Sequence, residues 1–178
     1  LAVWMWGSTV RAQGAEAVVK SLAANNVTDV ILLVRGTAGK AEYVSAIAPP
    51  AEEGKDALGD IIAVCRPLGI RVHAWFVFNQ DKSYTDLHHE DRIWHHGKAN
   101  TDFKPYPVDD GKVCPISQSH LEYTNDMIRE VIENYDVDGI HLDYIRYGHA
   151  VYCFCPDHVQ KATALGINVD RVREVMFE

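Results

Sequence analysis

Four short apolar runs, separated by stretches of helical spacing, set the strongest limit on what this chain can become. Ala2–Trp6, Val27–Val34, Ile70–Phe78 and Val137–Leu142 are too brief for helices and rich in β-branched, leucine or aromatic residues. Val27–Val34 is almost unbroken, the mark of a parallel strand buried on both faces. Between the runs, Ala15–Ala24 places Ala17, Val18 and Leu22 on one side, and Lys55–Leu68 does so with Leu58, Ile61, Ile62 and Cys65. Ser119–Asn134 places Leu121, Ile128, Val131 and Ile132 inward by the same rule. Gly7-Ser8 ends the first strand, Asn25-Asn26 stops the first helix, and Gly69 closes the second as a C-cap. Such alternation imposes parallel strands joined by right-handed crossovers.

The joints from helix to strand are short, whereas Thr37–Gly54 and Asn79–Ser117 are long and without periodicity. Long loops on the C-terminal side of parallel strands are where binding and catalysis are placed. Pro156–Leu165 and Val169–Phe177 read as helices after the fourth strand, and no fifth strand is expected. The chain has 178 residues, 47% of them apolar, enough for the core of one domain. A complete (β/α)8 barrel needs about 200 residues at least. The expectation is therefore one α/β domain over residues 1–178, forming the first four βα units of a TIM-type barrel. That unit is either a fragment or closed by another copy in a homo-oligomer. A small open α/β sheet is the alternative.

A net charge of −8 with no Lys/Arg-rich run argues against a nucleic-acid surface. No segment approaches the roughly 20 continuous apolar residues of a membrane span. The four cysteines do not define a disulfide scaffold.

Polar residues interrupt the fourth run. His141 and Asp143 are two apart, so they share one face of a strand, while Ile140 and Leu142 share the other. In a barrel the polar pair would point inward near the C-terminal end of the strand. Tyr144, Arg146 and Tyr147 follow at once, gathering an acid, an imidazole, a guanidinium and two phenols into a candidate site. The structural alternative makes Asp143 a strand cap and His141 a hydrogen-bonded core residue.

Leu1–Trp6, Leu68–Phe76, Cys114-Pro115, Tyr135–Tyr147 and Cys153-Phe154-Cys155-Pro156, in that order, resemble the glycosyl-hydrolase-like proteins that carry a GIHLDYIRYP-type fourth strand. The resemblance spans nearly the whole chain but only the N-terminal half of such a barrel. It implies a carbohydrate-active TIM barrel, usually extracytoplasmic, acting on oligo- or polysaccharide without a cofactor. Asp143 takes the part of catalytic carboxylate, with His141, Arg146, His73 and Trp75 beside it. Gly148 departs from the proline expected after Tyr147, which puts the loop geometry in question. The strand also looks like the chitinase pattern Asp-Gly-x-Asp-x-Asp-x-Glu, but Ile145 stands where the proton-donating Glu belongs, so that assignment fails.

Glycoside hydrolysis ordinarily uses two carboxyl groups about 5 to 10 Å apart. Asp138 lies at the wrong end of its strand, and Asp81, Asp86, Glu90 and Asp91 sit in the long third loop, so the second acid is expected on a later strand. Sugar C–H faces stack on aromatic rings, which makes Trp6, Trp75, Trp94, Tyr144 and Tyr147 binding candidates. Asn79, at the head of the long loop, and Arg35, at the end of the second strand, complete the substrate-binding set, although Arg35 equally suits a structural ion pair. Cys153-x-Cys155-x-x-His158 offers three soft ligands for zinc, with Cys114 a fourth if its loop comes near; free thiols are the alternative. His88, His89, His95 and His96 could also ligate a divalent ion but suit a solvated loop. A noncatalytic glycan-binding module remains open, as does a metal-dependent deacetylase-like hydrolase using His73, His141 and Asp143.

Overall fold

The computed structural model describes residues 1–177. Strand β1 (Ala2–Trp6) runs directly into α1 (Gly7–Gln13), and Gly14 separates that helix from α2 (Ala15–Ala24). Strand β2 (Asp29–Arg35) is followed by a loop, by α3 (Ala57–Cys65) with a 3-10 turn at Arg66–Leu68, and by β3 (Arg71–Val77). The next excursion contains the one-turn helix α4 (Lys82–Thr85) and a short antiparallel pair, β4 (Trp94–His95) with β5 (Tyr106–Pro107). Helix α5 (Gln118–Asn134) then delivers the chain to β6 (Gly139–Asp143). Helices α6 (Pro156–Ala164) and α7 (Val169–Phe177) follow.

The sheet order is β1-β2-β3-β6 with every pair parallel. It is open, with β1 and β6 at its edges. Val30, Leu32 and Val34 of β2 and Val72, Ala74 and Phe76 of β3 face the helices, where Val10, Val19, Leu58, Ile61, Met127 and Val131 close the core. Asp56 caps α3 by accepting the Gly59 N–H at 2.8 Å, and Ser117 caps α5 by accepting the His120 N–H at 3.1 Å. Gly69 ends the α3 turn in the left-handed region, φ 68°.

One element was not anticipated and one expectation is corrected. Gly7 follows the end of β1 as expected, but residues 7–13 go on as a helix. The buried stripe of α5 is His120, Thr124, Met127 and Val131, while Leu121 and Ile132 are 38% and 57% exposed. The real stripe carries polar members because it packs partly on the polar layer around Arg35.

The sheet's second face is open. Trp4 and Trp6 are 58% and 59% exposed there. Their rings join a ladder: Trp6 lies 5.8 Å from Trp75, and the His141 ring meets Trp75 at 6.1 Å and Trp4 at 6.0 Å.

Candidate site at the strand ends

At the ends of β3 and β6 the two segments stay paired. The Phe78 N–H donates to the Asp143 carbonyl at 2.8 Å, and the Asn79 N–H to the Tyr144 carbonyl at 3.3 Å. Tyr144 then turns the chain with φ 56°, a left-handed conformation that is costly for a bulky side chain and clusters at functional sites. Its N–H donates to Asp143 Oδ1 at 2.7 Å. The turn sets Tyr144, Arg146 and Gly148 against Asn79, Gln80 and Lys112 around a cavity of about 290 Å³. The Arg146 guanidinium lies 5.6 Å from the centre of the Tyr144 ring. Such a pocket, with one planar cation, one ammonium and two amides, suits a hydroxyl-rich ligand.

Asp143 does not line that cavity. By strand alternation it shares the open face of the sheet with His141, directly beside the Tyr144 turn. Trp6 and Trp75 stand on the same face. His73 lies one layer nearer the N-terminal end, its Nε2 3.2 Å from Asp29 Oδ1. The Arg71 guanidinium, helped by Thr28 and His73, holds Asp29 well below the usual carboxylate range. Gly139 makes room for the imidazole, since a Cβ there would come 2.8 Å from His73 Nδ1. Tyr147 faces elsewhere: its hydroxyl is 2.7 Å from His158 Nε2.

Arg35 is fully buried and ion-paired with Asp81, and it donates to the Val77 carbonyl at 3.0 Å. Burial lowers its pKa to about 10. It therefore has no exposed surface from which to hold a sugar, and the structural ion pair is its observed role. Asp138 is structural too, accepting the Val72 N–H at 2.8 Å and pairing with Arg66 at 3.1 Å. Asp81, Asp86, Glu90 and Asp91 do not line the Asn79–Arg146 cavity. Asp91 accepts hydrogen bonds from the Tyr84 and Ser119 hydroxyls, both at 2.7 Å. It borders a second cavity of about 370 Å³ with Trp94, Cys114 and Cys155. Gln80 and Lys112 were not legible as site residues, because their loop has no periodicity from which to read a direction.

Two groups of side chains could hold a metal among the described residues: Cys114, Cys153, Cys155 and His158, and the more open His88, Glu90 and Asp91. His73, His141 and Asp143 do not gather as a third. His95 and His96 stack on each other at 4.5 Å, and burial pushes both imidazoles below their ordinary pKa.

Polar groups collected at the C-terminal ends of parallel strands are the usual arrangement of a ligand site in α/β folds. Residues 14–144 match the family described as Hypothetical glycosyl hydrolase 6, and the chain belongs to that family. It is 30% identical over 151 residues to an S-layer-related protein of Niallia circulans, a match covering 69% of this chain and 9% of that protein. Among solved structures, α-L-fucosidase isoenzyme 2 from Paenibacillus thiaminolyticus superposes with a TM-score of 0.68 at 20% identity, over 89% of this chain and 24% of the fucosidase. A hypothetical protein from Ruminiclostridium thermocellum gives 0.67 at 16% identity, covering 92% of this chain and 90% of the other. The fucosidase from Vibrio sp. strain EJY3 gives 0.51 at 18%, over 90% and 25%. The chain thus spans only a small part of the curated relative and about a quarter of the fucosidases.

Proposed function

We propose that this chain supplies the first four strands of a (β/α)8 glycoside hydrolase, with Asp143 as one of its two catalytic carboxyl groups. What supports the reading is the C-terminal end of β6, where Asp143 adjoins the Tyr144 turn and Tyr144 itself borders a polar cavity. Asp143 serves as acid or nucleophile at the glycosidic oxygen or anomeric carbon; the partner carboxyl comes from a later strand or a second chain. Trp6, Trp75 and His141 offer the face on which a sugar ring stacks, and Asn79, Arg146 and Tyr144 offer donors for its hydroxyls. The substrate is a saccharide, and the names of the fucosidases make an α-L-fucoside the first to try. An extracytoplasmic location is part of the reading, supported by the S-layer-related relative.

The test is hydrolysis of aryl glycosides by the full protein and its Asp143→Asn variant. We expect kcat to fall by about 10²–10⁴ with KM little changed, the range for losing a positioned acid or base. A fall smaller than about tenfold would remove Asp143 from the chemistry. Residues 1–178 by themselves are expected to bind sugar weakly and to turn over none, since they hold one of the two carboxyls.

A further inference from the structure

We propose that Cys114, Cys153, Cys155 and His158 hold a structural zinc ion that pins the β3–α5 loop to the segment after β6. The four donor atoms come from separate places: Cys114 from the end of the long loop, Cys153 and Cys155 from the irregular segment between the Tyr144 turn and α6, and His158 from the first turn of α6. All lie within 4.8 Å of one another. The Cys114 and Cys155 sulfurs are 3.6 Å apart, and His158 Nδ1 is 3.5 Å from Cys114 Sγ and 3.1 Å from Cys155 Sγ. A tetrahedron with Zn–S bonds of about 2.3 Å and a Zn–N bond of about 2.0 Å has edges of roughly 3.5 to 3.8 Å. Two of these edges match, and the third, Cys155 Sγ to His158 Nδ1 at 3.1 Å, opens by about 0.4 Å to reach the S–N edge. A disulfide instead requires about 2.05 Å between sulfurs.

The surroundings are those of a ligand set. Cys114 and Cys155 are buried and Cys153 is half-buried, so three sulfurs share one small space. Cys155 is the N-cap of α6, where the helix dipole favours a thiolate, and Pro156 occupies the position whose N–H would be unused. The Trp94 N–H points at Cys153 Sγ from 3.3 Å. His158 presents Nδ1 to the sulfurs while the Tyr147 hydroxyl holds Nε2, the outer-shell partner that orients a metal-bound imidazole. Four protein ligands leave no open position, so the ion acts on structure rather than on substrate. Three sulfurs and one nitrogen in a tetrahedral array select zinc over harder divalent ions. On binding, the thiols give their protons to solvent, and no electrons move.

Tyr147 belongs to the stretch that also carries Asp143 and Tyr144. The ion therefore anchors the far end of the loop that shapes the sugar cavity, whether or not Asp143 is catalytic.

Protein produced with added zinc and purified under reducing conditions is expected to contain one zinc per chain by elemental analysis. After chelation, Co²⁺ should produce thiolate-to-cobalt charge-transfer absorption and the visible bands of a tetrahedral site. This measurement on the unaltered protein stands even if a cysteine variant fails to fold. Cys114→Ser should weaken the charge-transfer band by one sulfur's share, Tyr147→Phe should lower zinc affinity by about 10–100-fold, and His88→Ala should change neither. Absence of a cobalt charge-transfer band, a Cys114–Cys155 disulfide surviving the reducing preparation, or metal lost on His88→Ala but kept on Cys155→Ser would overturn the proposal.

Discussion

His120 lies inside the fold with its ring 4.8 Å from Tyr84, 6.1 Å from Phe78 and 6.3 Å from Tyr123. Burial, and after it the Arg35 charge, lower its pKa from 6.5 to about 3, against the opposing pull of Asp91. Asp81 stands 3.9 Å away but is occupied by Arg35. Below pH 6.5 the unfolded chain takes up this proton and the folded chain refuses it, so stability is lost as pH falls through the window between the two values. The expected cost is about 1 kcal/mol per pH unit in that window. Urea midpoints at pH 7.5 and 5 should show it, and His120→Phe should flatten the slope. At this scale strand alternation made the shared face of His141 and Asp143 legible. The left-handed Tyr144 was not, because no glycine marks the position. Nor was the meeting of Cys114 with Cys155, which depends on how a long aperiodic loop returns.

Among the elements, every strand of the main sheet could be located from its short apolar run, although helices cover only one face of the sheet, and β1 and β6 keep exposed or half-buried positions. Helix α1 was hidden by Gly7-Ser8-Thr9, which reads as a breaker when taken alone. Of the stripe expected on helix α5, Val131 is in the core and Ile128 packs against it, whereas Leu121 and Ile132 lie toward solvent. His120 and Thr124 are buried because the ends of β2 and β3 meet a polar layer that an aliphatic stripe could not satisfy. The two sides of the helix are separable by denaturation. Met127→Ala should cost about 2–5 kcal/mol, as a truncation in a packed core does, and Ile132→Ala no more than about 0.5 kcal/mol. Equal losses at both positions would mean that the helix is rotated from the orientation described.

Taken whole, the molecule covers one face of its sheet with helices and leaves the other face to Trp4 and Trp6. Exposed apolar patches beyond a few hundred Å² are uncommon on monomers, and the two indoles are the most apolar part of this open face. Residues 1–178 alone are expected to self-associate with rising concentration, and Trp4→Ser with Trp6→Ser should reduce this in sedimentation velocity runs. Unchanged association in the double variant would place the contact elsewhere. The parallel order of the strands was readable from the alternation of elements; that the four do not close a barrel was foreshadowed by length and by the lack of a fifth apolar run. One consequence of the Arg35–Asp81 pair remains. Removing either member from the other inside a dry interior costs about 3–5 kcal/mol. Gly39, at φ 76°, leaves the space Asp81 occupies, so the root of the β3–α5 excursion is bolted from two sides. A ligand arriving at the strand ends therefore meets a doorframe rather than a door, and whatever swings to admit it must hinge farther out along the chain.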